Sequence, residues 1–281
     1  MTLILFNPYA NNRDIVAALE GVRAYAAGSD TVEKDLTKVD DVCAELCALT
    51  ENDRVLLLGG DGTIMRLANA LEGKTLAVPV YFWKSGTGND FLRDLGKDND
   101  TEPVLLNPYL EKLPHVEIDG KVYRYINGIG FGLDGTVCEV TDALKEQGVK
   151  KIDYTMESIK LVLWKFKCPS GTVTVDGVTK KYKRIWLASA MHGKYYGGGM
   201  RVAPEQQRGG GTLTCCVWHT TGRLVTLMHF PKIFEGKHVQ YKKSVDIFTG
   251  KRITVEFDKP CALQIDGETV RGVTKYTAWI D

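Results

Sequence analysis

The sequence predicts an α/β domain followed by a mostly antiparallel β-sandwich domain. Short apolar strands alternate with helical segments in residues 1–113, which is typical of a parallel sheet covered by helices. From about residue 114 the pattern changes to strands of alternating polarity separated by turn glycines. We therefore assign residues 1–113 to the first domain and 114–273 to the second, with the final strand, 274–281, as an optional addition to the first.

In the first domain the sequence predicts three strands and four helices. Residues 55–58 are a continuous apolar run, as expected for a strand buried on both faces. The helix that follows has apolar residues at three- and four-residue steps, and Thr63 is its predicted N-cap. The predicted strands are 2–6, 55–58 and 76–83, and the predicted helices are 13–26, 39–50, 63–72 and 91–95.

The second domain is read mainly as strands, with two helical stretches. The helices are predicted at 152–166 and 223–234 because apolar residues recur there at helical spacing. The predicted strands are 115–119, 122–131, 172–176, 184–191, 212–218, 238–248, 252–257 and 262–265.

A glycine-rich turn connects the strand 55–58 to its helix. Gly59, Gly60 and Gly62 allow backbone N–H groups to face an anion at the positive end of a helix dipole. Asp61 lies among them and would repel phosphate unless a divalent cation bridges the two or the carboxylate orients a reacting hydroxyl. The alternative is a tight turn in which Asp61 only caps the helix.

Two further loops end at the same edge of the predicted parallel sheet. Asn7-Pro8 follows the first strand, and residues 84–90 follow the strand 76–83. Ligands bind at the carboxyl ends of such strands, so the three loops predict one binding site. Asn89 and Asp90 are interpreted either as a helix N-cap or as direct ligands.

Overall composition excludes a general preference for nucleic acid. The chain has 36 basic and 35 acidic residues, and no segment approaches the length of an apolar membrane span. Local basic clusters would suit contact with an anionic membrane surface. We expect a cytoplasmic protein that binds the membrane peripherally, with no evident protein partner and with a homodimer left open.

Six segments resemble the diacylglycerol kinase catalytic domain family in their order along the chain. Residues 59–63, Gly-Gly-Asp-Gly-Thr, also occur in NAD kinases and, with Ser for Thr, in phosphofructokinases. Residues 86–91, Gly-Thr-Gly-Asn-Asp-Phe, are more specific for the lipid kinases. The other matching segments are Asn7-Pro8, residues 127–134, residues 197–204 and residues 265–268, Ile-Asp-Gly-Glu.

The resemblance implies an interdomain cleft, ATP as phosphoryl donor, Mg²⁺ as the charge bridge and a lipid substrate, with diacylglycerol first. It assigns Asp61 and Asp90 to the metal. For proton transfer it implies Asp266 as general base, with Asp61 as the alternative base, Glu268 as support and Asp134 as a third acid. Residues 265–268 taken alone predict a hairpin turn. The residues that the resemblance places around the nucleotide are Asn7, Gly59, Gly60, Gly62, Thr63, Gly86, Thr87, Gly88 and Asn89.

The chain departs from the family pattern at two places. Lys84 stands where relatives usually have proline, either near the phosphates or facing water. Residues 208–214, Arg-Gly-Gly-Gly-Thr-Leu-Thr, lack both acids of the segment that binds a structural Mg²⁺ in bacterial relatives, so the resemblance does not extend to that structural ion. The alternatives to a lipid kinase are an NAD kinase and a non-catalytic nucleotide-binding regulator.

Overall fold

The structure is a computed structural model that describes residues 1–8, 15–85, 89–149, 157 and 159–281, without the side chains of residues 162 and 163. The chain divides into two compact units, Met1–Leu113 and Pro114–Asp281. The final strand belongs to the second unit, where it pairs with two strands of the sheet described below, so its optional assignment to the first domain is wrong.

The first unit has a five-stranded sheet with the order β2-β1-β3-β4-β5. Strands β1 to β4 are parallel, whereas β5 is antiparallel to β4. The strands are β1 (Thr2–Phe6), β2 (Thr31–Asp35), β3 (Arg54–Gly59), β4 (Val80–Lys84) and β5 (Val104–Leu105), and the helices are α1 (Ile15–Tyr25), α2 (Val42–Cys47), α3 (Asp61–Ala70), α4 (Asp90–Asp94) and α5 (Asn107–Leu110).

The central strands of this sheet are buried on both faces. The apolar run of β3 is fully enclosed, as its continuous hydrophobicity predicts. Strand β2 was missed because it lies at the sheet edge, where polar residues of the sequence Thr-Val-Glu-Lys-Asp are tolerated. Helix α3 begins at Asp61 with Gly60 as its N-cap. The prediction of Thr63 as N-cap is therefore wrong, because the helix begins earlier in the chain.

The second unit is built on an antiparallel sheet with the order β13-β12-β11-β8-β14-β15-β6-β7, to which β9 adds by pairing with β14, and β10 by pairing with β9. The strands are β6 (His115–Ile118), β7 (Lys121–Arg124), β8 (Gly128–Gly132), β9 (Gly171–Val175), β10 (Val178–Tyr182), β11 (Ile185–Met191), β12 (Leu213–His219), β13 (Val245–Gly250), β14 (Arg252–Ile265) and β15 (Glu268–Trp279).

Helical segments accompany this sheet. Helix α6 (Leu133–Glu146) packs on β14, and α7 (Arg223–His229) contacts a π-helical turn, Leu161–Lys165. Short 3-10 helices lie at Phe230–Ile233 and Lys237–Gln240. No helix in the described parts of the chain is long and apolar enough to cross a bilayer.

Several predicted boundaries in the second unit are wrong for identifiable reasons. The stretch 122–131 is two strands, because β6 and β7 form a hairpin before the chain turns into β8. Helix α6 was missed because its start follows directly on the glycine-rich strand β8. The stretches 252–257 and 262–265 are one long strand, β14, interrupted only by a change in pairing register. Residues 238–240 of the predicted strand 238–248 are helical.

Candidate active site

The turn between β3 and α3 is organised by the hydroxyl of Thr63. This oxygen accepts weak hydrogen bonds from the backbone N–H of Gly60 and from the side-chain amide of Asn7, each at 3.4 Å. A Cβ on Gly59 would lie 2.2 Å from the same oxygen, so only glycine fits there. A Cβ on Gly60 would meet nothing closer than 3.9 Å. Steric crowding thus requires the first glycine, while the second leaves the backbone open to an approaching ligand.

Asp61 connects this turn to the next loop. Its carboxylate accepts hydrogen bonds from the backbone N–H groups of Asp90, at 2.8 Å, and Phe91, at 3.3 Å. These are the first residues of α4, so Asp61 satisfies the N-terminus of that helix. Asp90 itself is buried and lies 3.6 Å from the guanidinium of Arg93. Of the two acids predicted to bind metal, Asp90 is therefore the first residue of α4, and Asp61, the first residue of α3, is hydrogen-bonded to its backbone N–H.

The structure describes some of the remaining residues that were predicted around the nucleotide. The space beside Gly60 is bordered by the side chain of Asn89 and the carbonyl oxygen of Ser85, at 3.9 and 4.0 Å from where its Cβ would be. Gly62 lies in the first turn of α3. Gly86, Thr87 and Gly88 lie outside the described residues.

Lys84, which stands where relatives usually have proline, contacts a nearby backbone carbonyl. Its ammonium donates a hydrogen bond to the carbonyl oxygen of Asp98. The lysine at the position usually occupied by proline thus stabilises the chain after α4.

In the second unit, Asp266 lies in a hairpin turn, and its carboxylate is hydrogen-bonded to the backbone at the start of β8. Asp266 and Gly267 both have positive φ, 47° and 97°, as in the two-residue turns that suit β-hairpins. One carboxylate oxygen accepts from Ile126 N–H at 2.5 Å, and the other accepts from Asn127 and Gly128 N–H at 2.8 and 2.9 Å. Burial raises the pKa of Asp266 to about 6, and the three amide hydrogen bonds oppose this rise.

Arg208 holds the same segment from a different loop. Its guanidinium donates to the carbonyl oxygen of Ile126 and, at 2.8 Å, to the side-chain oxygen of Asn127. Its positive charge also favours the ionised form of Asp266. Arg208 begins the segment 208–214, which lacks the two acids that the resemblance implies, and its side-chain cation contacts residues 126 and 127. No group of three or more His, Cys, Asp or Glu side chains suited to metal occurs among the described residues.

Asp134 is positioned by the glycines of β8. A Cβ on Gly130 would lie 1.7 Å from its Oδ2, so this carboxylate occupies the space that a side chain would need. The same oxygen accepts a hydrogen bond from the hydroxyl of Tyr196, whereas Oδ1 is buried without a hydrogen-bond partner among the described residues. Burial raises the pKa of Asp134 to about 6, although the hydrogen bond from Tyr196 opposes the rise.

Glu268 differs from the other two predicted acids because it is exposed. It is the first residue of β15, directly after the turn of Asp266. Within the described part of the chain its carboxylate forms no hydrogen bond or ion pair. It borders a shallow pocket of about 390 Å³ together with Asp142, Thr269 and Arg271. Of the three acids, Glu268 is the one whose carboxylate faces solvent.

Sequence reasoning missed two functional neighbours of these acids. Arg208 was considered only as the place of a missing carboxylate, and no local signal in the sequence indicates its contact with Ile126 and Asn127. Tyr196 directly precedes the motif at residues 197–204 but was not singled out. Both are recognised only through partners far away in the chain, which spacing along the sequence does not reveal.

The described residues fit a nucleotide with a bound cation. The turn offers backbone N–H groups at the start of a ten-residue helix and a position, Gly60, where no side chain blocks a phosphate. Mg²⁺ usually takes only one or two protein carboxylates beside phosphate oxygens and water, so Asp61 and Asp90 are sufficient in number.

Comparisons with known proteins bear on both units. Residues 1–118 match the family described as diacylglycerol kinase catalytic domain. Residues 127–277 match the YegS C-terminal NAD kinase beta sandwich-like domain. The chain belongs to the diacylglycerol kinase catalytic domain family. Membership confirms the resemblance and the two-domain fold class predicted from the sequence.

Individual relatives of this family are distant. A diacylglycerol kinase of Mycobacterium tuberculosis is 23% identical over 267 residues, covering 91% of this chain and 84% of that protein. A Staphylococcus haemolyticus protein provisionally named a lipid kinase is 26% identical over 223 residues, covering 77% and 70%. A crystal structure from Bacillus anthracis, provisionally described as a diacylglycerol kinase, has a TM-score of 0.72 at 20% identity and covers 100% of this chain and 92% of that one. This structural likeness shows the fold.

Proposed function

We propose that this protein transfers the γ-phosphoryl group of ATP to the hydroxyl of a lipid at a membrane surface, with diacylglycerol as the acceptor. The observation that carries the proposal is the hydrogen-bonded connection of the Gly-Gly-Asp-Gly turn to the start of α4 through Asp61. The names of the family and of its relatives support a lipid rather than a soluble acceptor.

The first unit supplies the groups that bind and orient the nucleotide. The backbone around Gly60 and Gly62 would contact the phosphates, and Asp61 and Asp90 would hold Mg²⁺. Phosphoryl transfer depends mainly on position and charge neutralisation, and bound Mg²⁺ supplies the latter. Asp61 is held by two backbone N–H groups, so its carboxylate is oriented before any ligand arrives.

For the second unit we propose a division of roles between neighbouring acids. The acceptor oxygen forms its bond to phosphorus as ADP leaves, and its proton must pass to a base. Asp266 was predicted for this task from the sequence, and that role is untested. Because both of its oxygens accept backbone hydrogen bonds, we propose instead that Asp266 fixes the turn and that the exposed Glu268 receives the proton.

The deciding experiment is a transfer assay with labelled ATP and Mg²⁺. The purified protein is incubated separately with diacylglycerol in mixed micelles, with a total membrane lipid extract and with NAD, and the products are identified by mass spectrometry. We expect phosphatidate from diacylglycerol, and no labelled product from the Asp61→Asn variant. Phosphorylated NAD as the only product would establish an NAD kinase. ATP binding without turnover on any lipid would instead favour a nucleotide-binding regulator.

A further inference from the structure

One surface of the second unit exposes large apolar side chains. Leu224 and Met228 on α7 are each 71% exposed, and Trp164 on the adjacent π-helical turn is also 71% exposed. Val225 and Phe234 are 41% and 42% exposed. These five residues define the apolar face. Their segments form a continuous surface, because α7 contacts both the turn Leu161–Lys165 and the 3-10 helix Phe230–Ile233.

The residues of the apolar face are not needed to attach α7 to the hydrophobic core. The opposite side of α7 is already anchored: Thr226 is buried, and Leu227 packs on a core cluster that contains Trp186 and Trp218. Leu224, Val225 and Met228 are one and four residues apart, which places them together on the outward side of the helix. Contiguous exposed apolar residues of this size typically mark an interaction surface.

The charges around the apolar face have one predominant sign. Residues 157–167 and 223–237 contain six Lys or Arg and two Glu. Both glutamates are neutralised locally, Glu157 by Lys160 and Glu235 by Lys232 and Lys237. Lys165 and Lys167 are exposed next to Trp164. An occupant of this surface should therefore be apolar at its centre and negatively charged around it.

We propose that the apolar face docks on an anionic lipid bilayer, with Trp164, Leu224 and Met228 entering the interface and the surrounding lysines contacting lipid headgroups. The proposal rests on the proposed function, which requires access to a lipid substrate. Aromatic and apolar residues combined with basic ones are the usual features of interfacial binding. A second copy of the chain is a poorer occupant, because a two-fold interface would place the same positive charges against each other.

The test measures binding to vesicles without ATP. Sedimentation with vesicles of phosphatidylcholine and phosphatidylglycerol is compared for wild type, the double variant Leu224→Gln/Met228→Gln and the control Val122→Thr. Val122 is 54% exposed on β7, an edge strand that lies six positions in the strand order from β12, the strand that precedes α7 in the chain. We expect the double variant to bind about tenfold or more weakly, since two apolar side chains no longer leave water, and the control to bind as wild type does.

Two further readouts make the outcomes distinct. Binding of wild type should weaken as salt rises or when phosphatidylglycerol is omitted, and Trp164 emission should shift to the blue, a shift lost in Trp164→Phe. Equal binding by wild type and the double variant would overturn the proposal. A dimer in solution that the double variant abolishes, without vesicle binding, would also overturn it. Vesicle binding without transfer to any lipid would contradict the proposed function and leave the docking surface supported.

Discussion

The carboxylate of Asp61 accepts a hydrogen bond from the backbone N–H of Asp90 at 2.8 Å. This contact joins the two sequence motifs on which the family resemblance depends most, although the two residues are 29 positions apart in the sequence. One side chain therefore holds the N-terminus of α4 and defines the edge of the glycine-rich turn. Changes at Asp61 should affect both the local fold and the reaction.

For Asp61→Asn we expect turnover to fall on the order of 100-fold or more, because the charge proposed to hold Mg²⁺ beside the phosphates is lost. The free energy of unfolding should fall by only about 1 kcal/mol, since the amide retains one acceptor for the α4 N–H groups. Turnover and chemical denaturation measure the two effects. Asp41→Asn is the matched control, because Asp41 accepts a hydrogen bond from Ala44 N–H at the start of α2. Equal turnover in the two variants would make Asp61 a turn residue only.

The two first glycines of the turn should respond differently to alanine. Gly59→Ala should lower the free energy of unfolding by about 1–3 kcal/mol, because the new Cβ overlaps the hydroxyl of Thr63. The new Cβ of Gly60→Ala has no close neighbour, so stability should be nearly unchanged. ATP binding should weaken, because the methyl group would stand where the phosphates are proposed to approach the backbone. Thermal denaturation and nucleotide titration separate the effects. Similar losses of stability in both variants would contradict the steric argument.

Substitutions of the two acids in the last hairpin should have different effects. Asp266→Asn should lower the free energy of unfolding by about 1–3 kcal/mol, because an amide nitrogen would face backbone donors that now bind a carboxylate. Glu268→Gln should leave stability unchanged and reduce kcat by at least about 100-fold, with ATP affinity retained. Denaturation, kcat and ATP titration are measured on both. A stable Asp266→Asn protein with collapsed kcat, beside an active Glu268→Gln protein, would return the base role to Asp266.

Asp134 should make stability depend on pH. Its pKa is raised by burial to about 6, whereas an aspartate in the unfolded chain titrates near 4. Between these values the folded protein holds more protons than the unfolded one, so the free energy of unfolding falls as pH rises. Relative to Asp134→Asn, wild type should lose on the order of 2 kcal/mol between pH 4 and 6.5.

Urea denaturation at several pH values measures the effect of Asp134. Tyr196→Phe serves as a companion variant, because removing the hydroxyl that stabilises the carboxylate should move the loss of stability to higher pH. Parallel stability curves for wild type and Asp134→Asn would show that Asp134 does not titrate in this window.

Local signals in the sequence predicted the turn between β3 and α3, the fold class and the hairpin at residues 265–268. The apolar run of β3 and the glycines after it act over a few residues, so their outcome does not depend on distant parts of the chain. Element boundaries were predicted less well. Helix α6 follows β8 without a turn signal that would mark its start, and the edge strand β2 is polar, so it lacks the apolar residues that identify a strand.

The sequence by itself determined which residues are the candidates for the chemistry: the glycine-rich turn with Asp61, the segment at Asn89 and Asp90, and the acids at 134, 266 and 268. Only the tertiary structure decided how those acids differ. Asp266 is clasped by amides from the start of β8, Asp134 is enclosed beside Tyr196 and Glu268 faces solvent. A carboxylate's charge and hydrogen bonding depend on burial and on partners brought close by folding, and sequence spacing contains neither quantity.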